Sequence, residues 1–177
     1  MKKVICILSV LMFVCTFVNA QVCVPFGVDM LFLGEKSDVR TEKEIYGLKL
    51  GLRVGGKHAG YIDYFISLSS QPGEVYDNGV LKKTDVSSGI LSFGYQYRPK
   101  IQSRVKPFFG IGYCLIDFDF TSKDIEKLDL DSIYPNAGID FYFTNVWAIR
   151  FDARYHIFKS KSINLTQLSF VLKKDLR

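Results

Sequence analysis

The stretch WAIRFDARYHI, from Trp147 to Ile157, decides the fold. Its odd positions (Trp147, Ile149, Phe151, Ala153, Tyr155, Ile157) are apolar or small, while the even ones run Ala148, Arg150, Asp152, Arg154 and His156. A period of two belongs to a β-strand, here with one greasy and one ionic face. Working outward, the same alternation recurs, with bulky aromatic residues on the greasy face and glycines on the ionic one.

Reading alternate positions predicts about eight strands, the smallest number usual for a membrane barrel. Their greasy faces carry Phe26, Val28, Met30 and Phe32; then Leu48, Leu50, Leu52 and Val54; then Ile62, Tyr64, Ile66 and Leu68. Leu91, Phe93, Tyr95 and Tyr97 follow, then Phe109, Ile111, Tyr113 and Leu115, then Ala137, Ile139, Phe141 and Phe143. The Trp147 strand is the seventh, and Leu168, Phe170 and Leu172 mark the last. None of these stripes contains a charge. Residues 34–44, 69–88 and 117–132 read as long polar loops, whereas 56–60 and 144–146 are tight and 159–162 short. Barrels of this class have long loops outside the cell and short periplasmic turns, and an even strand number puts both termini in the periplasm.

The first 20 residues read as a signal peptide: Lys2 and Lys3, an apolar run from Val4 to Val18, and Val18, Asn19 and Ala20 as a cleavage site. The mature domain is expected to run from Gln21 to Arg177. The alternative, an uncleaved helical anchor, falls short of the ~20 apolar residues a span needs. A lipoprotein start is disfavoured, since Val precedes both Cys15 and Cys23. Losing Lys2 and Lys3 lowers the formal net charge from +5 to +3. So weak a balance makes no case for nucleic acid. Cys6 and Cys15 leave with the leader; Cys23 and Cys114 read as small apolar fillers rather than a disulfide.

Alternation alone does not say which face is inside, because a soluble ligand-binding barrel has the same period with the apolar face inward. Volume decides. An eight-stranded interior is just filled by side chains, and it would be severely overpacked by Phe93, Tyr95, Phe109, Phe141, Trp147, Phe151 and the other rings of the stripe. Gly27, Gly47, Gly51, Gly94, Gly110, Gly112 and Gly138 on the opposite face suit a crowded lumen. The greasy face is therefore placed toward lipid, with Tyr95, Tyr97, Tyr113, Trp147 and Tyr155 as interfacial girdles. The lumen then holds Asp29 and an ionic network of Lys49, Arg53, Asp63, Asp140, Arg150, Asp152 and Arg154, which must pair with one another or with water. If Phe143 faces Trp147 across the tight turn, Asp140 lies opposite Arg150. The network reads either as a charged gate or, the reading adopted, as a salt-bridge core that plugs the barrel.

The segment from Lys106 to Tyr113 (KPFFGIGY) and the run from Pro135 to Phe158 resemble the outer-membrane β-barrel domain family, which groups with the transmembrane domain of outer-membrane protein A. Gly138, Asp140, Trp147, Arg150, Asp152, Arg154, Tyr155 and Phe158 carry the second match. The resemblance implies an all-β, eight-stranded antiparallel up-and-down transmembrane barrel in a bacterial outer membrane. It also implies contact with outer-membrane lipid and lipopolysaccharide and insertion by the barrel-assembly machinery. Family members commonly finish on an aromatic residue; here Phe170 is followed by Val171 to Arg177, so either Phe170 serves in that role with a short tail beyond it or recognition is looser in this lineage.

Some small barrels modify lipid A, which needs a His and Ser in reach on the lipid face. His156 has lumen parity, its i+2 neighbour is Phe158, and Ser160 and Ser162 read as loop residues, so no catalytic site is expected. His58 reads as a solvated turn residue. Asp117, Asp119, Asp124, Asp129 and Asp131 lack a fixed metal-loop motif, and neither metal nor cofactor is expected. The function expected is a non-enzymatic barrel with surface loops in structural, adhesive or environment-contacting work, its extracellular partner unspecified. The alternatives are a narrow porin-like conduit and, behind it, a lipid A modifying enzyme.

Overall fold

The computed structural model describes residues 21–35, 37–77, 79–99, 103–159 and 162–176. The signal-peptide reading of residues 1–20 and the loop reading of Ser160 fall outside them. Among the described residues there is no helix, and ten strands form one sheet: β1 (Val22–Leu33), β2 (Val39–Thr41), β3 (Ile45–Gly55), β4 (His58–Ser67), β5 (Gln71–Asp77), β6 (Val80–Tyr97), β7 (Val105–Phe120), β8 (Leu128–Tyr142), β9 (Trp147–Phe158) and β10 (Leu165–Leu176).

Eight of them close a barrel. Each barrel strand pairs antiparallel with the next, β6 with β7 included, and β10 returns to β1 with Val22 opposite Leu176 and Leu33 opposite Leu165. Closure leaves no sheet edge around the circumference, the condition for crossing hydrocarbon with strands. The tight turn after β3 is made where Gly55 adopts φ 124°, a conformation costly for any residue with a Cβ. Phe143 N donates to Trp147 O across the β8–β9 turn, and Asp140 lies opposite Arg150 as the parity argument required.

All three long polar segments carry strand, the second almost throughout. β5 continues the line of β4 after a break at Leu68–Ser70, taking over the pairing with β6, and β2 continues β3 by pairing with β5. β7 and β8 likewise run on to Phe120 and Leu128. The wall thus stands tall from β2 round to β8 and stays low at β9, β10 and β1. The last strand, read from Gln167 to Lys173, runs on to Leu176 against β1, so Phe170 sits mid-strand opposite Phe151, their rings 5.1 Å apart.

Parity is kept throughout, but polarity inverts along the tall strands. On β7 the outward residues from Val105 to Leu115 are apolar, matching the about 9–11 residues a tilted strand needs to span. Two steps on, Asp117 and Asp119 face outward while Ile116 and Phe118 are fully buried inside. On β8, Asp129 and Asp131 point outward beside inward Leu130, and below them Ile133, Ile139 and Phe141 take the outer face. Such an exchange of faces is what a strand needs where its surroundings pass from hydrocarbon to water.

Candidate functional site: the barrel lumen

The lumen is stacked in layers, the first at the end where β1 begins and β10 finishes. The first layer centres on Asp140, which is fully buried. Its carboxylate accepts from Arg150 Nε at 2.7 Å and Nη2 at 3.2 Å, from Lys173 Nζ at 3.1 Å, and from Arg98. Lys173 also reaches Asp175 at 3.0 Å and the Tyr142 hydroxyl, which itself donates to Asp175 at 2.8 Å. The Arg150 guanidinium lies over the Phe108 ring at 4.3 Å. Charge-assisted bonds of this kind offset the desolvation of ions that the barrel wall removes from water.

The second layer is built on Arg154. Two of its nitrogens bind Asp63 in a fork, at 3.0 and 2.6 Å, and its Nε donates to Asp152 at 3.1 Å. The same guanidinium sits 5.4 and 5.1 Å from the ring centres of Tyr61 and Tyr134, whose hydroxyls bond at 2.9 Å. Lys49 stands between Asp29, Asp152 and Asp63 at 3.4, 3.7 and 3.9 Å and donates to Ser169 Oγ at 2.9 Å.

Above it lies a polar spacer. His156 Nδ1 is 3.0 Å from Ser132 Oγ and 3.2 Å from Cys114 Sγ; its Nε2 is 3.3 Å from Gln167 Oε1, and the Gln167 amide donates to Asp29. The set has the makings of a nucleophile–base chain, yet none of its members exceeds 1 % exposure. Cys114 and Cys23 are both free thiols, apart from one another. Beyond the spacer the interior turns apolar: Leu31, Ile45, Phe65, Val75, Val86, Ile90, Ile116 and Phe118 are packed into one core that closes the loop end.

Six of the seven residues assigned to the network from the sequence come together in these two layers: Lys49, Asp63, Asp140, Arg150, Asp152 and Arg154. Arg53 is buried but stands apart, with Nη2 donating to Gly56 O at 3.2 Å and no carboxylate paired to it among the described residues. Arg98, Lys173, Asp175 and Gln167 also belong to the layers, beyond the network named from the sequence. Inward parity two residues past Gln96, Val171 and Leu165 marks Arg98, Lys173 and Gln167. Large rings also enter the lumen, against the expectation that bulky aromatics share the outer face: Tyr61, Phe65, Phe108, Phe118 and Tyr134 are all buried inside. The inner glycines make the room. A Cβ on Gly112 would strike the Tyr134 ring and the Tyr61 hydroxyl, and one on Gly47 the Phe65 ring.

The girdle candidates all have outward parity. Tyr95 and Tyr155 are exposed, at 45 % and 49 %, and Tyr97, Tyr113 and Trp147 are half-buried on the outer wall. Tyr95 bonds the His58 ring, Tyr97 packs 5.4 Å from it, Tyr113 lies against Phe93, and Lys174 sits over Trp147. His58 opens β4 rather than floating in a turn. At the loop end, exposed Lys127 bridges Asp117 and Asp119 at 3.3 and 3.5 Å, and the Asp117 hydrogen bond pushes its ammonium above the ordinary lysine range.

A family model described as "Outer membrane protein beta-barrel domain" matches residues 17–173. The chain's fold resembles OprG of Pseudomonas aeruginosa (11 % identity, TM-score 0.65, covering 89 % of this chain and 96 % of that one). Neisserial surface protein A is similar at 14 % identity and TM-score 0.63, over 89 % and 99 % of the two chains. So is Ail of Yersinia pestis, solved with the heparin analogue sucrose octasulfate (11 %, 0.55, over 88 % and 97 %). A comparison with curated protein sequences finds no significant match.

Proposed function

Because this chain belongs to the outer membrane protein beta-barrel domain family and resides in the bacterial outer membrane, we propose that it is a non-enzymatic anchor whose tall wall meets the environment. The observation that carries this reading is the filled lumen. Two ionic layers, a hydrogen-bonded spacer and an apolar core succeed one another along the axis, and water-filled channels belong to barrels of about 16 strands. The His156 array takes no catalytic role here, since substrate has no route to it.

With the short turns and both termini in the periplasm, the extension formed by β2, β5 and the upper parts of β6, β7 and β8 is what the cell exposes. That Ail was solved with a heparin analogue supports an interaction role for such a surface. Here the outward rim is acidic, at Asp117, Asp119, Asp129 and Asp131, so the partner expected is cationic or cation-bridged. Planar-bilayer recording on the purified, heat-modifiable protein tests the reading: it predicts a silent bilayer. Steady single-channel steps that vanish in an Arg150→Ala, Arg154→Ala variant would establish the conduit instead.

A further inference from the structure

Positive charge accumulates at the terminal end of the barrel without enough negative charge to match it. Arg53, Arg98, Arg150 and Lys173 are buried there, facing only Asp140 and Asp175 among the described residues. Asp152, the next carboxylate inward, is already held by Lys49 and Arg154. Lys57, Arg104 and Lys106 add three more cations around the mouth. Apart from the five lumen aspartates (Asp29, Asp63, Asp140, Asp152 and Asp175), every Asp and Glu of the chain lies at the loop end.

Two buried arginines register the shortage directly. Arg53 is 1 % exposed, and its Nε has no hydrogen-bond partner among the described residues; Arg98 Nε has none either. Arg98 is bound to Asp140 through its Nη2, whereas Arg53 has no carboxylate among the described residues; a buried cation left unpaired is costly, and a guanidinium fork is shaped for oxyanions. The mouth itself is concave, about 860 Å³, and takes in Arg98, Arg104, Lys57, Lys106, Tyr142 and Asp175. Gly56, whose carbonyl receives Arg53, is on its wall. Lys106 and Lys173 lie 4.5 and 4.6 Å from the centre of the Tyr142 ring, itself part of the chamber wall.

We propose that this mouth binds a soluble multivalent oxyanion, of phosphate or carboxylate class, which supplies the missing negative charge. The ligand arrives along the barrel axis from the aqueous side, because Arg53, Arg98, Arg150 and Lys173 are buried within the wall and Arg104 and Lys106 line the concavity; lipid phosphates lie outside the wall, at the level of Trp147 and Lys174. In the orientation given above, that aqueous side is the periplasm.

The test is isothermal titration of the folded protein in non-ionic micelles with tripolyphosphate, with citrate and, as a polymeric comparison, with polyglutamate, ionic strength being held constant with sodium chloride. Binding by at least one of tripolyphosphate and citrate is expected. Lys57→Gln with Arg104→Gln and Lys106→Gln should weaken it by about tenfold or more, and the solvent-facing pair Lys57→Gln, Arg104→Gln alone should weaken it measurably. A loop-end control, Lys82→Gln with Lys83→Gln and Lys123→Gln, should leave it unchanged. Tripolyphosphate alone binding assigns the phosphate class, and citrate alone the carboxylate class. The proposal is overturned if neither binds, if the mouth variants bind like the wild type, or if polyglutamate alone binds, which would point to an acidic protein segment.

Discussion

Asp140 faces three buried cations, Arg98, Arg150 and Lys173, from a position with no access to water. Removing one partner of a buried ionic cluster leaves the others uncompensated, so Asp140→Ala should cost about 3–5 kcal/mol. The exposed Asp117 is the natural control; its alanine variant should change stability by less than about 1 kcal/mol. Urea unfolding followed by the fluorescence of Trp147, the chain's one tryptophan, measures both. The carboxylate and its opposite arginine were legible from parity and one tight turn. The remaining cations around it were not, because Arg98 and Lys173 reach Asp140 from strands far apart in sequence, and only closure of the barrel brings those strands across the lumen. The inner rings show the same limit. Parity puts Phe65 and Phe108 inside, but whether they fit depends on which glycine lies beneath each ring.

At the scale of elements, the outer strand extensions answer to a different solvent from the strands they continue. Val75 on β5 is 4 % exposed and packs with Val39, Val86 and Phe118 in the apolar core. The barrel strands below pair without it, β4 with β6 over His58–Ile66 and Gly89–Tyr97. Val75→Asp should therefore loosen the extension while the barrel persists. Trypsin added to intact cells should cut at Lys82 or Lys83 in the variant and not in the parent, and the heat-induced shift on SDS gels should survive. Loss of the shift would mean that barrel and extension fold as one unit. These extensions read as loops in sequence because their outward residues are polar and their inward ones apolar, the reverse of the stripe that identifies the spans.

For the whole molecule, the deciding quantity is which face meets lipid. Arg150, Asp152 and Arg154 are each at most 4 % exposed, whereas Phe151, Phe141 and Phe170 are about half exposed, an arrangement stable only if hydrocarbon bathes the rings. Phe151→Arg should consequently destabilise the folded barrel by about 2–4 kcal/mol, and Thr166→Arg, nearer the interface, by about 0–1 kcal/mol. Denaturant titration in lipid vesicles separates the two; equal costs at both sites would contradict the membrane orientation. Sequence by itself determined the number of strands that close the barrel, the outward apolar stripe and most members of the ionic core, because period-two patterning and side-chain volume are local properties that a chain carries before it folds. Only the tertiary structure decided how the layers stack, which cations crowd the mouth and where the strands leave the membrane. Those features depend on residues distant in sequence meeting across a closed lumen, and on a change of solvent along the axis that no single strand announces.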